Sequence, residues 1–590
     1  ATAFTDITPR GGLVPRSREE AVDEGAAEPL LPMRFNRRGP AVAVGDIDGS
    51  GRDSLVVGGT SLDPLRMAVQ DGHGQFQPAL ALGGAPFAID DGPVLLLDAM
   101  GTGREDLLVT RGGNALPSGS PEYQPRLYLN DGHGAFMPAP EGALPTLSID
   151  AGAAAAADFD HSGRLGVFIG ARLLPGQYPL APRSVLLANR GGMFEDVTDS
   201  LAPGLREVGM VTSALWSDVD GDGWPDLLLT LDWGQVKYFH NNQGNGFEDW
   251  TDRAGFASAG TGWWTSIASA DFNGDGRPDF VVGNVGLNTQ YHASPEHPAL
   301  LYYGDFRGEG EQPQLVEAYY EGDRLFPWRT RRDLVAAIPS ILRRYPRNNA
   351  YARATLGEIL GDEKLAAAQK FSATQLQSGV FLSQPDGTYR FEALPRIAQI
   401  SPFQGVVAGY LGIGPCAGIV AVQNSYAPIP LVGRFDGGLG QFLRGDGHGH
   451  FTAVPAAESG IIVAGDAKAL AMADTGTGGL PGLVASRNNA SPVMFGAGSA
   501  EGMHPLCVRL RGRPGNPTAV GARVTLVLAD GAVETLEVEA GSGYFSQSSA
   551  ACFFAFSDAN RAARIRVRWP DGSRTEQAAG AAPYQELTEP

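Results

Sequence analysis

Short runs of alternating apolar residues recur along most of this chain, broken by tight polar loops, and the alternation predicts antiparallel β-structure throughout. One unit enters on strand-like Thr265-Ser-Ile-Ala-Ser-Ala270, turns through Asp271-Phe-Asn-Gly-Asp-Gly-Arg-Pro-Asp279, and leaves on Phe280-Val-Val-Gly283. A second signature lies downstream, as in Arg66 to Phe76, Arg126-Leu-Tyr-Leu-Asn-Asp-Gly-His-Gly-Ala-Phe136 and Gln441 to Phe451. There the apolar alternation runs into Asp-Gly, which tolerates the positive φ of a tight hairpin. His73, His133 and His448 hold the same turn position in different units and are read as turn residues, not as ligands of one site. Strand–loop–strand openings at Asp46, Asp98, Asp158, Asp218, Asp271, Gly409 and Asp474 predict an all-β chain with seven four-stranded blades of a propeller over residues 1–500. Phe4-Thr-Asp-Ile-Thr8 matches the unit ends Phe194-Glu-Asp-Val-Thr198 and Phe247-Glu-Asp-Trp-Thr251, so this N-terminal strand is expected to complete the last blade and leave no open edge.

The texture changes before Gly409. Asp305-Phe-Arg-Gly-Glu-Gly310 follows Asp271 too closely to open a blade and is read as the outer hairpin of the fifth. Leu334, Val335, Ile338, Ile341, Leu342 and Tyr345 fall at helical spacing, as do Leu356, Ile359, Leu360 and Leu365, which predicts a helical insertion over 320–375 broken at Pro339 and Pro346. This stretch carries Arg324, Arg329, Arg331, Arg332, Arg343, Arg344 and Arg347, either a solvated face or a docking patch for an anionic partner.

The acidic loops carry the plainest chemistry. Asp218, Asp220, Asp222 and Asp226, like Asp271, Asn273, Asp275 and Asp279, place oxygen donors at positions 1, 3, 5 and 9 around a glycine turn. That set suits Ca²⁺, which takes roughly 6–8 oxygen ligands. The flanks are strands, unlike the helices of an EF-hand. Asp46, Asp48 and Ser50 form a partial copy, as do Asp158, Asp160 and Ser162; Asp98 keeps only Asp106 opposite it, and the Gly409 and Asp474 copies are nearly bare of acids. A structural calcium staple fits repeated ligand sets better than a catalytic metal does.

With Lys+Arg 45 against Asp+Glu 65, the net charge of −20 argues against nucleic acid as a partner. No apolar run approaches the ~20 residues that span a bilayer, and the first residues, Ala1-Thr-Ala-Phe4, read as a mature terminus after signal removal, hence a secreted or periplasmic location. Cys416, Cys507 and Cys552 are too few for a disulfide framework; Cys507 and Cys552 either pair or remain buried thiols.

These repeats resemble the FG-GAP/VCBS propeller repeats of integrin α-chains and, more closely, the bacterial relatives of cartilage acidic protein 1, the CRTAC-like family. Asn516-Pro-Thr-Ala-Val-Gly-Ala-Arg-Val524, Gly541-Ser-Gly-Tyr-Phe-Ser-Gln547 and Val567-Arg-Trp-Pro-Asp-Gly572 look like the three signatures of an ASPIC/UnbV domain, over 505–590. Gly283-Asn-Val-Gly-Leu-Asn-Thr-Gln-Tyr291 also looks like the bacterial branch, whereas Phe553-Phe-Ala-Phe-Ser557 stands where Phe-Gly-Leu-Gly is expected. The resemblance implies a secreted, calcium-stabilised propeller with a small C-terminal β domain.

No nucleophile elbow, His-Glu-x-x-His, phosphate loop or dinucleotide fingerprint occurs. The expected ligand site is the fifth blade, where Trp263 and Trp264 precede the innermost strand and Asn284, Asn288 and Gln290 follow the next, with Arg329 nearby. Trp216, Trp224 and Trp233 are read as wedges between blades. The sequence favours a binding or scaffold protein for a protein, glycan or small-molecule ligand. Two alternatives stand beside it: an enzyme that uses the channel near Trp264, Asn288 and Arg329 for a hydrolysis, cyclisation or isomerisation, and a subunit of an extracellular assembly with Arg331 to Arg347 as the docking surface; should neither site hold, the C-terminal domain around Tyr544, Gln547 and Trp569 is the remaining candidate.

Overall fold

The computed structural model describes residues 2–9, 13–71, 75–78, 82, 87–308, 310, 312–476 and 478–590; His73 and part of its hairpin lie outside them. The β-rich reading holds, and the acidic loops fall where the alternation breaks. Asp46 sits between Val42–Gly45 and Ser54–Val57, Asp98 between Asp90–Leu97 and Asp106–Gly112, and Asp158 between Asp150–Ala157 and Gly166–Leu173. Asp218 sits between Met210–Ser217 and Asp226–Gly234, and Asp271 between Ile267–Ala270 and Asp279–Val282. Gly409 ends Phe403–Gly409 ahead of Gly418–Gln423, and Asp474 ends Ala467–Asp474 ahead of Pro481–Arg487. Each pair begins an antiparallel four-stranded meander, numbered here as the first to seventh sheets. The fourth strand of the seventh is Phe4–Asp6, which pairs Phe4 with Ala497 and Asp6 with Phe495. The first strands pack side by side in sequence order, and that of the seventh sheet packs against that of the first.

Buried amides join neighbouring sheets. At the end of the third strand, Asn130 Nδ2 donates to Ile47 O, Asn189 Nδ2 to Ala99 O, and Asn241 Nδ2 to Phe159 O, each at 2.9 Å and each reaching the loop of the preceding sheet. Gln70 Nε2 does the same from the first sheet to Asp474 O of the seventh, at 2.9 Å. In the sixth sheet, where glycine replaces the amide, the backbone N–H of Gly449 donates to Phe272 O at 3.0 Å. Trp216 is a wedge of the expected kind, stacked on Phe159 of the third sheet.

The expected outer hairpin at Asp305 lies elsewhere. Ala299–Gly304, Gln314–Glu321, Arg324–Pro327 and Gln369–Ala373 form their own sheet, inserted between the second and third strands of the fifth. The third and fourth strands of that sheet are Gly379–Ser383 and Tyr389–Ala393. The Asp305 turn looks like a repeat opening because it shares the Asp-x-x-Gly-x-Gly pattern; it differs in pairing with the inserted strands. Five short helices between Arg331 and Ala367 pack Leu334, Ile338, Ile341, Leu356 and Ile359 against this inserted sheet.

After the seventh sheet, Met503–Arg511, Cys552–Ser557 and Tyr584–Thr588 form a three-stranded sheet beside a four-stranded one built on Arg523–Leu528. Trp569 is buried in its core, and the three cysteines are free thiols. From this unit the segment 540–549 passes along the inner strands. Ala156 N donates to Ala540 O, Gly543 N to Ile267 O, Val42 N to Phe545 O, Leu470 N to Ser546 Oγ and Leu96 N to Gln547 Oε1, while Ser213 Oγ donates to Gly543 O. It thus bonds to the first strands of six sheets. Against the remaining one, the sixth, a Cβ on Gly543 would stand 2.9 Å from Val406 O, and φ is +64° there, so only glycine fits.

Two substitutions test this frame. Phe4→Ala, which empties a fully buried site in the pairing of Phe4–Asp6 with Val493–Ala497, should lower stability by about 3–5 kcal/mol. Asn241→Ala, which orphans Phe159 O, should cost about 1–3 kcal/mol. Chemical denaturation measures both; a loss below 1 kcal/mol in both would refute the account.

Candidate functional site

Two regions gather functional groups: the acidic loops on one side of the sheets and a cavity on the other side of the 540–549 segment. In the loops, the residue at position 1 collects N–H groups from its own turn. Gly223 N donates to Asp218 Oδ2 at 3.2 Å, Gly276 N to Asp271 Oδ2 at 2.9 Å, Gly51 N to Asp46 Oδ2 at 2.7 Å and Gly163 N to Asp158 Oδ2 at 2.9 Å. This curl draws Asp218, Asp220 and Asp222 together, with one oxygen of each lying within 4.8 Å of the others, and Asp218 Oδ1 is buried without a hydrogen-bond partner. Asp48 and Asp160 each accept the N–H of the serine at position 5, Ser50 and Ser162. In the fifth sheet, Asn273 Oδ1 accepts Asp275 N at 3.0 Å, while Asp275 Oδ2 also meets Ser383 Oγ and Arg277.

Position 9 is different. Asp226 Oδ1 accepts Asn241 N at 2.7 Å and Oδ2 accepts Val219 N and the Tyr238 hydroxyl, both at 3.1 Å. Asp279 likewise accepts Ser383 N, Phe272 N and Asn273 N, and Asp106 accepts Asn130 N and Ala99 N. This acid brackets the loop to the third strand whether or not a cation is near, which explains why Asp106 persists in a copy that has Met100 and Thr102 at ligand positions. Burial pushes Asp158 and Asp271 up to about 6, and Asp226 and Asp279 up to about 7. One oxygen each of Asp218, Asp220 and Asp222 gathered at one place, with Asp218 Oδ1 unpartnered, is a donor set that fits a hard cation.

His240 was not visible as a loop partner in the sequence. Its Nδ1 lies 3.2 Å from Asp220 and 3.3 Å from Asp226, its ring stacks on Trp250, and the neighbouring Asp226 carboxylate raises its pKa. The signal was present in Phe239-His240-Asn241, where the unit's third strand meets its turn. The C-terminal unit also touches these loops: Arg568 pairs with Asp218, and Arg509 bridges Asp53 at 2.9 Å and Asp474 at 3.0 Å. Asp53, a displaced acid in sequence, is thereby turned toward Arg509.

The cavity measures about 110 Å³ and is lined by Phe35, Arg38, Arg172, Tyr178, Asp232, Trp233, Trp263, Tyr291, Phe435, Lys468 and Tyr544, among others. Trp233 is part of this wall and not a wedge; it crosses Trp263 edge-on at 5.1 Å, and its Nε1 donates to the Tyr178 hydroxyl at 2.6 Å. Tyr291 crosses Trp263 at 4.9 Å. Trp263 Nε1 and Arg172 Nη1 are buried without partners. Trp264 reaches the cavity, but its ring packs in the core between the fourth and fifth sheets and crosses Phe391.

The four remaining residues of the expected ligand site are not in the cavity wall. Asn284 donates to Gln375 O and accepts Val285 N, Asn288 donates to Ile400 O, and Gln290 donates to Val432 O. Each amide holds a loop. Arg329 is buried against Glu317 at 2.9 Å and donates to Leu30 O and Leu31 O, so it anchors the N-terminal segment. Arg38, Arg172 and Lys468 were missed, although a lone cation within an apolar strand, as in Gly166–Leu173 and Ala467–Asp474, is the mark of a buried paired charge.

Residues 512–588 match the family model described as ASPIC and UnbV, and residues 218–282 match the FG-GAP-like repeat. Comparison with curated proteins finds no match. Among solved structures, the biofilm matrix protein Bap1 of V. cholerae is similar at 9% identity and a TM-score of 0.31, covering 85% of this chain and 92% of that one. BBS1N in complex with ARL6DN is similar at 8% identity and 0.35, covering 82% and 98%. The α-L-arabinanase of Penicillium chrysogenum is similar at 11% identity and 0.30, covering 85% and 97%. Likeness at this level transfers no ligand or activity. The chain thus carries an FG-GAP-like repeat and an ASPIC/UnbV domain in an all-β framework, and such repeats suggest a propeller-type binding protein.

Glu539, at the head of the 540–549 segment, supplies a pH test. Burial beside Ser269 pushes its carboxyl up to about 8 from an ordinary 4.5. The folded state therefore retains a proton that the unfolded chain releases, and stability should fall as pH rises from about 4.5 to about 8. Glu539→Gln should flatten this slope, with a gain of about 1–2 kcal/mol at pH 8. Denaturation midpoints at pH 5 and 8 measure it; parallel pH slopes for variant and parent would refute it.

Proposed function

We propose that this chain is a CRTAC-like, seven-bladed propeller of a secreted or periplasmic binding protein, stapled by Ca²⁺ and holding a small-molecule ligand in the cavity around Trp263. Seven meanders, with the first and last packed together and the last completed by Phe4–Asp6, support the propeller. On this reading the propeller spans 1–500, interrupted by the insertion, and 505–590 is its ASPIC/UnbV-like cap. The cations would be held by Asp218, Asp220 and Asp222, by Asp271, Asn273 and Asp275, and more weakly by Asp46, Asp48 and Ser50 and by Asp158, Asp160 and Ser162. Their part is structural: a loop of neighbouring carboxylates becomes favourable once the charge is neutralised. The unpartnered Asp218 Oδ1 supports this.

The observation that carries the ligand site is the pair of unsatisfied donors, Trp263 Nε1 and Arg172 Nη1, in an aromatic wall. Buried donors without acceptors are costly, and a ligand oxygen relieves that cost. The Tyr544 ring of the 540–549 segment forms part of the wall. A small cavity with an aromatic wall and unsatisfied donors supports the binding reading.

Two outcomes are expected. Millimolar calcium should raise the melting temperature by a few degrees and a chelator should lower it, since about 100-fold excess over Kd contributes about 2.7 kcal/mol per site; Asp220→Asn with Asp275→Asn should remove most of the shift. Unchanged melting after verified metal removal would defeat the staple. In saturation-transfer NMR with single-ring fragments, the parent should show binders that Trp263→Ala loses while its melting temperature remains calcium-dependent; identical binding by parent and variant would place the ligand elsewhere.

A further inference from the structure

The charge around the cavity is layered. Five cationic side chains line it against two carboxylates. The carboxylates that balance the lining cations mostly stand behind them: Arg38 pairs with Asp150, and Lys468 Nζ pairs with Asp466 at 2.8 Å, neither acid being part of the wall. Arg172 pairs through Nη2 with Asp232 at 2.7 Å, which leaves Nη1 unpartnered. Arg172 and Lys468 are 8% and 2% exposed, so their charges are shielded from bulk water. Among the described aromatic rings that line this cavity, the unpartnered polar atoms are again donors: Trp263 Nε1 and, on the inward-packed Trp264, Nε1. The wall thus offers hydrogen-bond donors on cationic and indole groups beside flat aromatic surfaces. An engineered cavity of about 150 Å³ holds a benzene ring, so about 110 Å³ is the scale of one ring.

We infer that the ligand of this cavity is a monocyclic carboxylate, its ring against Trp263 and Trp233 and its carboxylate oxygens accepting from Arg172 Nη1 and Trp263 Nε1. This rests on the cavity being the ligand site, as proposed above. A guanidinium edge and an indole N–H favour an anion over a neutral oxygen because charge-assisted hydrogen bonds are the stronger ones. A cationic ring would meet lining cations, and a neutral one would leave Arg172 Nη1 with a poorer acceptor. Aromatic acids and uronic acids share this chemistry.

Calorimetric titration of the whole protein with benzoate, benzyl alcohol, D-glucuronate and D-glucose tests the inference and separates the two sources. The expected result is that at least one acid binds ten-fold or more tightly than its neutral counterpart. Benzoate preferred over glucuronate identifies the aromatic acid, and the reverse identifies the uronate. Arg172→Lys keeps the charge opposite Asp232 and removes the free Nη1; Trp263→Phe keeps a ring and removes Nε1–H. Each should weaken the bound acid at least five-fold and change the neutral compound less than two-fold. If the neutral compounds bind as tightly as the acids, the cavity remains a ligand site and the carboxylate assignment is overturned. If no probe binds, although neutral single-ring fragments do, the assignment is likewise overturned. If neither probes nor fragments bind, both readings fall.

Discussion

Four sheets each send one buried amide into the loop of the sheet before them, and the whole arrangement of sheets depends on those contacts. A four-stranded meander buries two faces against its neighbours yet leaves polar loop carbonyls at the seams, where water is excluded. Asn130, Asn189, Asn241 and Gln70 satisfy those carbonyls. Gln70 reaches from the first sheet to the seventh and so joins the two ends of the row of sheets. In the second and fourth sheets the acid at position 9 works on the same seam from within the unit, fixing the strand end from which the amide projects. Loop chemistry and sheet assembly are therefore one system: what reads as a ligand set is partly a bracket.

The two ends of the first strands differ because one chain segment passes between them. Residues 540–549 use backbone and serine groups to satisfy inner-strand positions, and the aromatic pair Tyr544 and Phe545, stacked at 4.7 Å, follows along that path. On the loop side, arginines of the C-terminal unit meet carboxylates, with Arg509 clasping Asp53 and Asp474 and Arg568 reaching Asp218. In the seventh sheet, whose loop opens on a single acid, that carboxylate, Asp474, pairs with the Arg509 guanidinium. On the far side lies the aromatic cavity.

Periodic features were legible in the sequence. Each acidic loop reports a turn between two strands because alternation, glycine and aspartate act locally, and the likeness of Phe4-Thr-Asp-Ile-Thr8 to internal unit ends carried the pairing of Phe4 with Ala497. The inserted sheet was misread because the Asp305 turn is locally the same as a repeat turn; its partner, Gln369–Ala373, lies far along the chain. The cavity was half legible. Trp263 announced itself by type, whereas Arg38, Arg172 and Lys468 became neighbours only through assembly of separate sheets. Asn284, Asn288 and Gln290 had the right chemistry and the wrong partners, since an amide next to a loop is as ready to hold backbone as ligand.

The pairing of Phe4–Asp6 with Val493–Ala497 has a consequence for synthesis. The seventh sheet joins strands nearly 500 residues apart, so its fourth strand is made well before the three it lies beside and waits through the synthesis of the six other sheets. During that interval the growing row of sheets carries two unpaired flanks, one at each end, and the emerging polypeptide is at its most adhesive just before Val493–Ala497 is made. A folding helper acting on this chain has its task defined by that delay: it must shield the earliest strand until the last one arrives.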